Sequence, residues 1–246
     1  MKDNAKPHAF CEAEPHAPRE AEAPRVLAVG ETAFTVEFGQ TISAILNRRV
    51  HALDAALQAD PPPGLRETVP TYRSLLVVYD PVAVDGAEMA AYLRRVARTV
   101  PDSPAAGQGR LVEIPVRYGG EDGPDLEAVA EHCGLTPNEV VRRHTGGAYT
   151  VAMLGFAPGF AYLLGLPPSL TMPRLATPRL QVPAGSVGIA GAQTGLYALS
   201  TPGGWRLIGR TSLTLFDPDR QPPFTLQAGD RIRFVAQSHA EGASGA

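Results

Sequence analysis

The chain has 246 residues, a formal net charge of −3 and a pI near 6.1. Its length suits one large domain or two small ones, and 44% hydrophobic residues suffice for a real core. The slightly acidic balance leaves no basic footprint for nucleic acid, and no apolar run approaches the ~20 residues a membrane span needs. Two cysteines, Cys11 and Cys133, cannot make a disulfide framework and fit a reducing compartment. The N-terminus Met1-Lys2-Asp3-Asn4-Ala5-Lys6-Pro7-His8 lacks the apolar centre of a signal peptide, so a soluble cytoplasmic protein is expected.

Residues 1–24 are rich in Ala, Glu and Pro without hydrophobic period, which predicts a disordered tail. His8, Cys11 and His16 lie there, but structural zinc asks for four ligands at motif spacing. Residues 26–38 suit two short strands split at Gly30-Glu31, with Phe34, Val36 and Phe38 on one face. Thr41 is placed to cap a following helix, whose apolar face collects Ile42, Ile45, Leu46, Val50, Leu53 and Leu57. Asp60-Pro61-Pro62-Pro63-Gly64 stops it. Strands are expected near 66–69 and 74–79, then a helix over 85–99 that buries Met89, Leu93 and Val96. The pattern is a small ββαββα unit, an antiparallel sheet covered by two helices.

The run 101–109 is linker-like and marks a boundary. The expected organisation is a tail over 1–24, a small α+β domain over 25–105, a β domain over 106–237 and a frayed end over 238–246. The second domain opens with a strand over 111–117. Two short helices follow, one capped by Asp125 and ended by Gly134, the other opened by the capping box Thr136-Pro137-Asn138-Glu139. Strands are then expected at 149–154, 186–190, 196–200, 205–209, 213–216 and 231–235. Many short strands with Gly/Pro turns point to a barrel or closed sandwich. The proline-rich stretch 166–183 reads as a long loop of the kind that is functional or a lid.

The stretch 144–211 carries the candidate chemistry. Glycines recur there every few residues, as in Gly155-Phe156-Ala157-Pro158-Gly159-Phe160. Gly204-Trp205-Arg206-Leu207-Ile208-Gly209-Arg210-Thr211 scans as a phosphate loop with Arg for Lys. Bulky residues between its glycines, and a strand expected after it, argue against a nucleotide cradle. Arg210 can still pair with a substrate anion. His144, at a helix end, reads either as an acid–base group at a pocket mouth or as a histidine favourably placed at a helix C-terminus. His51 and His132 are expected on the surface. Phe156, Phe160, Tyr162 and Tyr197 fill a barrel core or line an apolar pocket. Ser186, Gln193 and Thr194 sit at Gly-assisted turns that can hold a small anionic or amide ligand, or are ordinary hairpin chemistry. Ser186 is not in a nucleophile elbow, and no metal-binding motif is present.

Longer motifs carry a resemblance. Val69-Pro70-Thr71-Tyr72-Arg73-Ser74, Ile114-Pro115-Val116-Arg117-Tyr118-Gly119-Gly120, the Gly155–Phe160 run, Pro183-Ala184-Gly185-Ser186-Val187, Pro202-Gly203-Gly204-Trp205 and Gly209-Arg210-Thr211 resemble the allophanate hydrolase subunit 1 family in order and spacing. The likeness covers about residues 26–236. It implies a cyclophilin-like β-barrel for the second domain and a small α/β domain before it. It also implies a non-autonomous subunit of an ATP-dependent 5-oxoprolinase, converting 5-oxo-L-proline to L-glutamate. The implied partners are a protein similar to allophanate hydrolase subunit 2 (the C subunit of 5-oxoprolinase) and a third protein (its A subunit). ATP, with or without Mg, is then bound wholly or partly by those partners. Two other roles occur in the resemblance: an inhibitor of a sporulation-type histidine kinase, as in KipI, and a carboxyltransferase half of a urea carboxylase/allophanate system. His144 as proton carrier, Arg210 as anion partner and Phe160, Ser186, Gln193, Thr194 and Tyr197 as the substrate wall are our inference on these segments.

Overall fold

The computed structural model describes residues 23–101 and 109–237. The expectations for residues 1–22, including His8, Cys11 and His16, and for most of the 101–109 linker lie outside the described residues.

The first six elements are β1 (Arg25–Val29), β2 (Ala33–Glu37), α1 (Ala44–Ala59), β3 (Leu65–Pro70), β4 (Ser74–Tyr79) and α2 (Gly86–Thr99). The four strands pair antiparallel in the order β1-β2-β4-β3. Alternation puts Phe34, Val36, Leu75, Val77 and Tyr79 on one face, where Val50, Leu53 and Leu57 of α1 and Met89 and Leu93 of α2 meet them. The cap of α1 is Ser43, whose hydroxyl accepts the Leu46 N–H at 3.1 Å, and not Thr41. The helix therefore starts later than expected and leaves Ile42 (53% exposed) and Ile45 (55%) outside the core. In α2, Asp85 is the cap and the helix starts at Gly86; Ala97 takes the fully buried place and Val96 only flanks it.

The remaining elements are β5 (Leu111–Tyr118), α3 (Leu126–Cys133), α4 (Pro137–Thr145), β6 (Tyr149–Leu154), β7 (Ala161–Leu164), β8 (Arg179–Val182), β9 (Ser186–Ala190), β10 (Gln193–Leu196), β11 (Thr201–Gly203), β12 (Arg206–Arg210) and β13 (Arg231–Gln237). Seven of them close a barrel in the order β10-β7-β6-β13-β5-β12-β9, and β8 pairs separately with β11. Within the barrel only the β13–β5 pair is parallel. Closure leaves the barrel itself no open sheet edge. Val187 and Ile189 of β9 point into the barrel core. Its intervening residues face a second cluster of Phe160, Tyr197 and Trp205 outside. At Gly188 and Gly195 a Cβ would press on Trp205 at 3.0 and 2.9 Å, so glycine is needed for this double-sided packing.

Several expectations are corrected here. The strand expected at 196–200 is β10, at 193–196; Thr194 is drawn inward by buried partners, and the chain turns after Leu196. Residues 213–216 form no strand; a single bridge joins Phe216 to Phe224, flanked by the bonds from the Asp217 N–H to the Pro223 carbonyl and from the Thr225 N–H to the Leu215 carbonyl, both at 2.9 Å. The stretch 166–183 is anchored, not free. It contains a 3-10 turn (Pro168–Leu170) and β8, with Leu170 and Met172 buried in the core. Asp125 makes no side-chain cap on α3; its carboxylate instead accepts the Leu207 N–H at 2.7 Å and Arg179 Nη2 at 2.8 Å. Gly134 ends α3 in the left-handed region, as expected. Among the described residues no helix is long and apolar enough to cross a membrane.

Candidate functional site

The residues expected to form one pocket occupy separate places. His144 is not at a pocket mouth. It is 0% exposed, inside the barrel, with its ring 4.4 Å from Phe234 and 5.3 Å from Tyr149. The Thr194 hydroxyl donates to the Gly188 carbonyl at 2.9 Å. Its oxygen therefore accepts from His144 Nε2–H at 3.1 Å. In the neutral ring Nδ1 is then an acceptor, and takes the Tyr118 O–H at 2.8 Å. Tyr149 O–H closes the set by donating to the His144 carbonyl at 2.7 Å. Every proton in this network has a partner, and burial drives the His144 pKa down to about 3. Position at a helix end put His144 near the barrel; the length of α4 then delivered it to the interior.

Phe160 and Tyr197 belong to the aromatic cluster outside the barrel, 4.8 Å apart edge to face, with Trp205 at 5.5 Å from Phe160. They fill a core. Gln193 lies opposite Ala190, and Ser186 opposite Arg210. Four strand steps along β9 therefore offset Gln193 and Arg210 by about 13 Å along the strand direction, with β9 between them. Arg210 is half-exposed. Its Nε meets Asp122 Oδ1 at 2.6 Å, and Arg117 Nε meets Asp122 Oδ2 at 2.6 Å. Two guanidinium groups thus share one carboxylate at this end of the barrel, and guanidinium is a group suited to an anion. Arg117 and Asp122 went unnoticed in the sequence because the pairing of β5 with β12 is what brings them to Arg210.

The stretch 204–211 is mostly β12, and among the described residues no helix follows it. Its backbone is engaged in the barrel ladder, so it does not fit a nucleotide phosphate. Among the described residues no group of three or more His, Cys, Asp or Glu side chains is placed to hold a metal ion.

Two further features were not legible beforehand. Phe156 has φ 68°, and the Ala157 N–H bonds the Gly155 carbonyl at 2.8 Å across it. This is a γ-turn with positive φ, a strained backbone for an aromatic residue, costing about 1–3 kcal/mol. The turn holds the Phe156 ring 66% exposed beside a shallow apolar hollow that includes Phe224.

The second feature is a cleft of about 740 Å³ between α1 and the opposite end of the barrel, lined by Arg48, His51, Asp54, Arg110, Asp230 and Arg231 among others. Asn47 pins its floor. The Asn47 amide donates to the Thr71 and Ala152 carbonyls, both at 3.1 Å. Ala152 is the extra residue of a bulge where β6 meets β7, which leaves its carbonyl available. His51 Nε2 donates to Asn47 Oδ1 at 3.1 Å, so His51 is a cleft residue and not a surface one. Burial lowers its pKa, against the opposing charge of Asp54 and the Ala152 carbonyl. The sequence signal was a polar i, i+4 pair beside the apolar face of α1.

The family model for the carboxyltransferase domain, subdomain C and D, matches residues 24–226. The B subunit of 5-oxoprolinase from Bacillus subtilis (strain 168) is 46% identical over 224 residues, which is 87% of this chain and 92% of that protein. The crystal structure of TTHA0988 superposes on 84% of this chain with TM-score 0.74 and 42% identity; this chain spans 40% of its length. Kluyveromyces lactis urea carboxylase superposes on 90% of this chain with TM-score 0.68, but at 17% identity and over 23% of its own length, so that likeness concerns the fold alone.

Proposed function

This chain belongs to the carboxyltransferase domain family, subdomain C and D, and on that premise we propose that it is a non-autonomous subunit of an ATP-dependent 5-oxoprolinase, opening 5-oxo-L-proline to L-glutamate. The observation that carries this reading is 46% identity over 92% of a relative named as the B subunit of 5-oxoprolinase. A lactam resists hydrolysis because amide resonance must be broken, which is the reason to couple the reaction to ATP. In this reading ATP is bound wholly or partly by partner proteins, and the barrel-strand conformation of this chain's phosphate-loop-like stretch is in keeping with that. Those partners are the C and A subunits of 5-oxoprolinase.

Within the reading, Arg210 and Arg117 are the groups of this chain best suited to hold a substrate carboxylate, with Asp122 fixing both guanidinium planes. Ser186 is Arg210's cross-strand neighbour at the same end. His144 and Thr194 hold the barrel interior together. Phe156, exposed on a strained turn, is the natural anchor for a partner, because buried aromatics dominate interface energies. The two separate hydrophobic cores support the division into a small α+β domain over 25–105 and a barrel domain over 106–237.

The test is ATP-dependent glutamate release by this chain alone, by its partners alone and by all three together. Activity confined to the complete set, and reduced by Arg210→Ala, is expected. Full activity of the partners without this chain would end the reading.

A further inference from the structure

The cleft between α1 and the barrel has the volume of a small-molecule site and lies at a seam between two packed cores, where such sites concentrate. Its charges can be accounted for one by one. Asp230 accepts Arg110 Nη2 at 2.8 Å and the Gln227 N–H at 2.9 Å. Arg110 also donates to the Thr225 carbonyl at 2.7 Å. Asp54 accepts the Thr68 hydroxyl at 2.5 Å. Both carboxylates and one arginine are therefore committed. The guanidinium groups of Arg48, on α1, and Arg231, at the start of β13, have no hydrogen bond or ion pair among the described residues. The cleft thus offers one uncommitted cation from each wall, beside His51.

From this we infer that the cleft binds a small dicarboxylate. Guanidinium matches carboxylate with two parallel hydrogen bonds. Two such groups on facing walls favour a ligand with two separated carboxylates over one with a single charge. The inference rests on the 5-oxoprolinase reading: the lactam substrate has one carboxylate, and the ring-opened product, glutamate, has two. A ligand bridging Arg48 and Arg231 also clamps α1 to the barrel where Asn47 already pins it. The cleft is distinct from the Arg117–Asp122–Arg210 cluster. Along β5, Leu111 stands at the cleft end and Arg117 at the other, about 20 Å away.

The experiment is calorimetric titration of the full chain with L-glutamate, 5-oxo-L-proline and inorganic phosphate, alongside Arg48→Ala and Arg231→Ala. Both side chains reach solvent, so the variants keep the fold, checked by their melting curves. Saturable glutamate binding, about tenfold tighter than 5-oxoproline and weakened about tenfold by each variant, is expected. No glutamate binding, binding unchanged in both variants, or phosphate or 5-oxoproline binding as tightly as glutamate overturns the inference. Glutamate release by the assembled complex is measured separately. Activity without glutamate binding removes the cleft and leaves the 5-oxoprolinase reading; arginine-dependent binding without activity does the reverse.

Discussion

The barrel interior around His144 and the cleft beside α1 are both polar, yet they are opposites. In the interior each donor meets an acceptor, from Tyr118 through His144 and Thr194 to the Gly188 carbonyl. Nothing there is left to offer a ligand. In the cleft, Asn47 bonds His51, Thr71 and Ala152, while Arg48 and Arg231 have no side-chain hydrogen bond or ion pair among the described residues. A completed buried network specifies a fold, because a missing partner leaves a costly unsatisfied group. An incomplete one facing a cavity is where binding free energy is available. Residue type alone does not separate the two cases.

The largest test of that contrast is His144→Ala. It removes a packed ring and leaves Tyr118 and Thr194 without their partner, so a loss of about 3–5 kcal/mol in stability is expected from urea unfolding. A fully stable variant with a shifted pH–activity profile would instead restore the proton-carrying role.

Acid gives the next effect. The folded pKa of His144, about 3, lies below its unfolded value near 6.5. The unfolded chain therefore binds a proton that the folded one refuses. His144's contribution is intact above pH 6.5 and declines by ~1.4 kcal/mol per pH unit as pH falls toward 3. A His144→Gln protein unfolded across the same pH range should show a flatter acid limb; an unchanged limb would mean that His144 is not its source.

Asn47→Ala strips donors from the Thr71 and Ala152 carbonyls, and about 2 kcal/mol is expected. Amide exchange should rise first where α1 meets β6; a uniform rise would argue against a local pin.

Phe156→Gly relieves backbone strain and should leave the isolated chain as stable or about 1 kcal/mol more stable. Its association with the partner proteins should weaken, as read by analytical ultracentrifugation. Unimpaired assembly would remove Phe156 from the interface. Smallest of all in stability is Arg48→Ala, within about 0.5 kcal/mol, since its guanidinium has no hydrogen bond or ion pair among the described residues.

Much of the architecture was legible in the sequence, because period and punctuation are local. β4 and β9 fall where alternation and glycine place them, and Thr136 and Gly134 cap as their types predict. The long motifs pointed to the family to which the chain belongs. The candidate site was legible only in part. Arg210 and Ser186 do share one barrel end, but His144, Phe160, Thr194 and Tyr197 went to cores and Gln193 to the other end. Which end of a strand a residue reaches, and whether a side chain points into a closed barrel or toward a neighbouring helix, depends on register between segments far apart in the chain. Asn47 finds Ala152 across 105 residues, and Arg210 finds Asp122 only once β5 and β12 pair. Local propensity chose the elements; the closure of the barrel decided which polar groups were completed and which were left to bind.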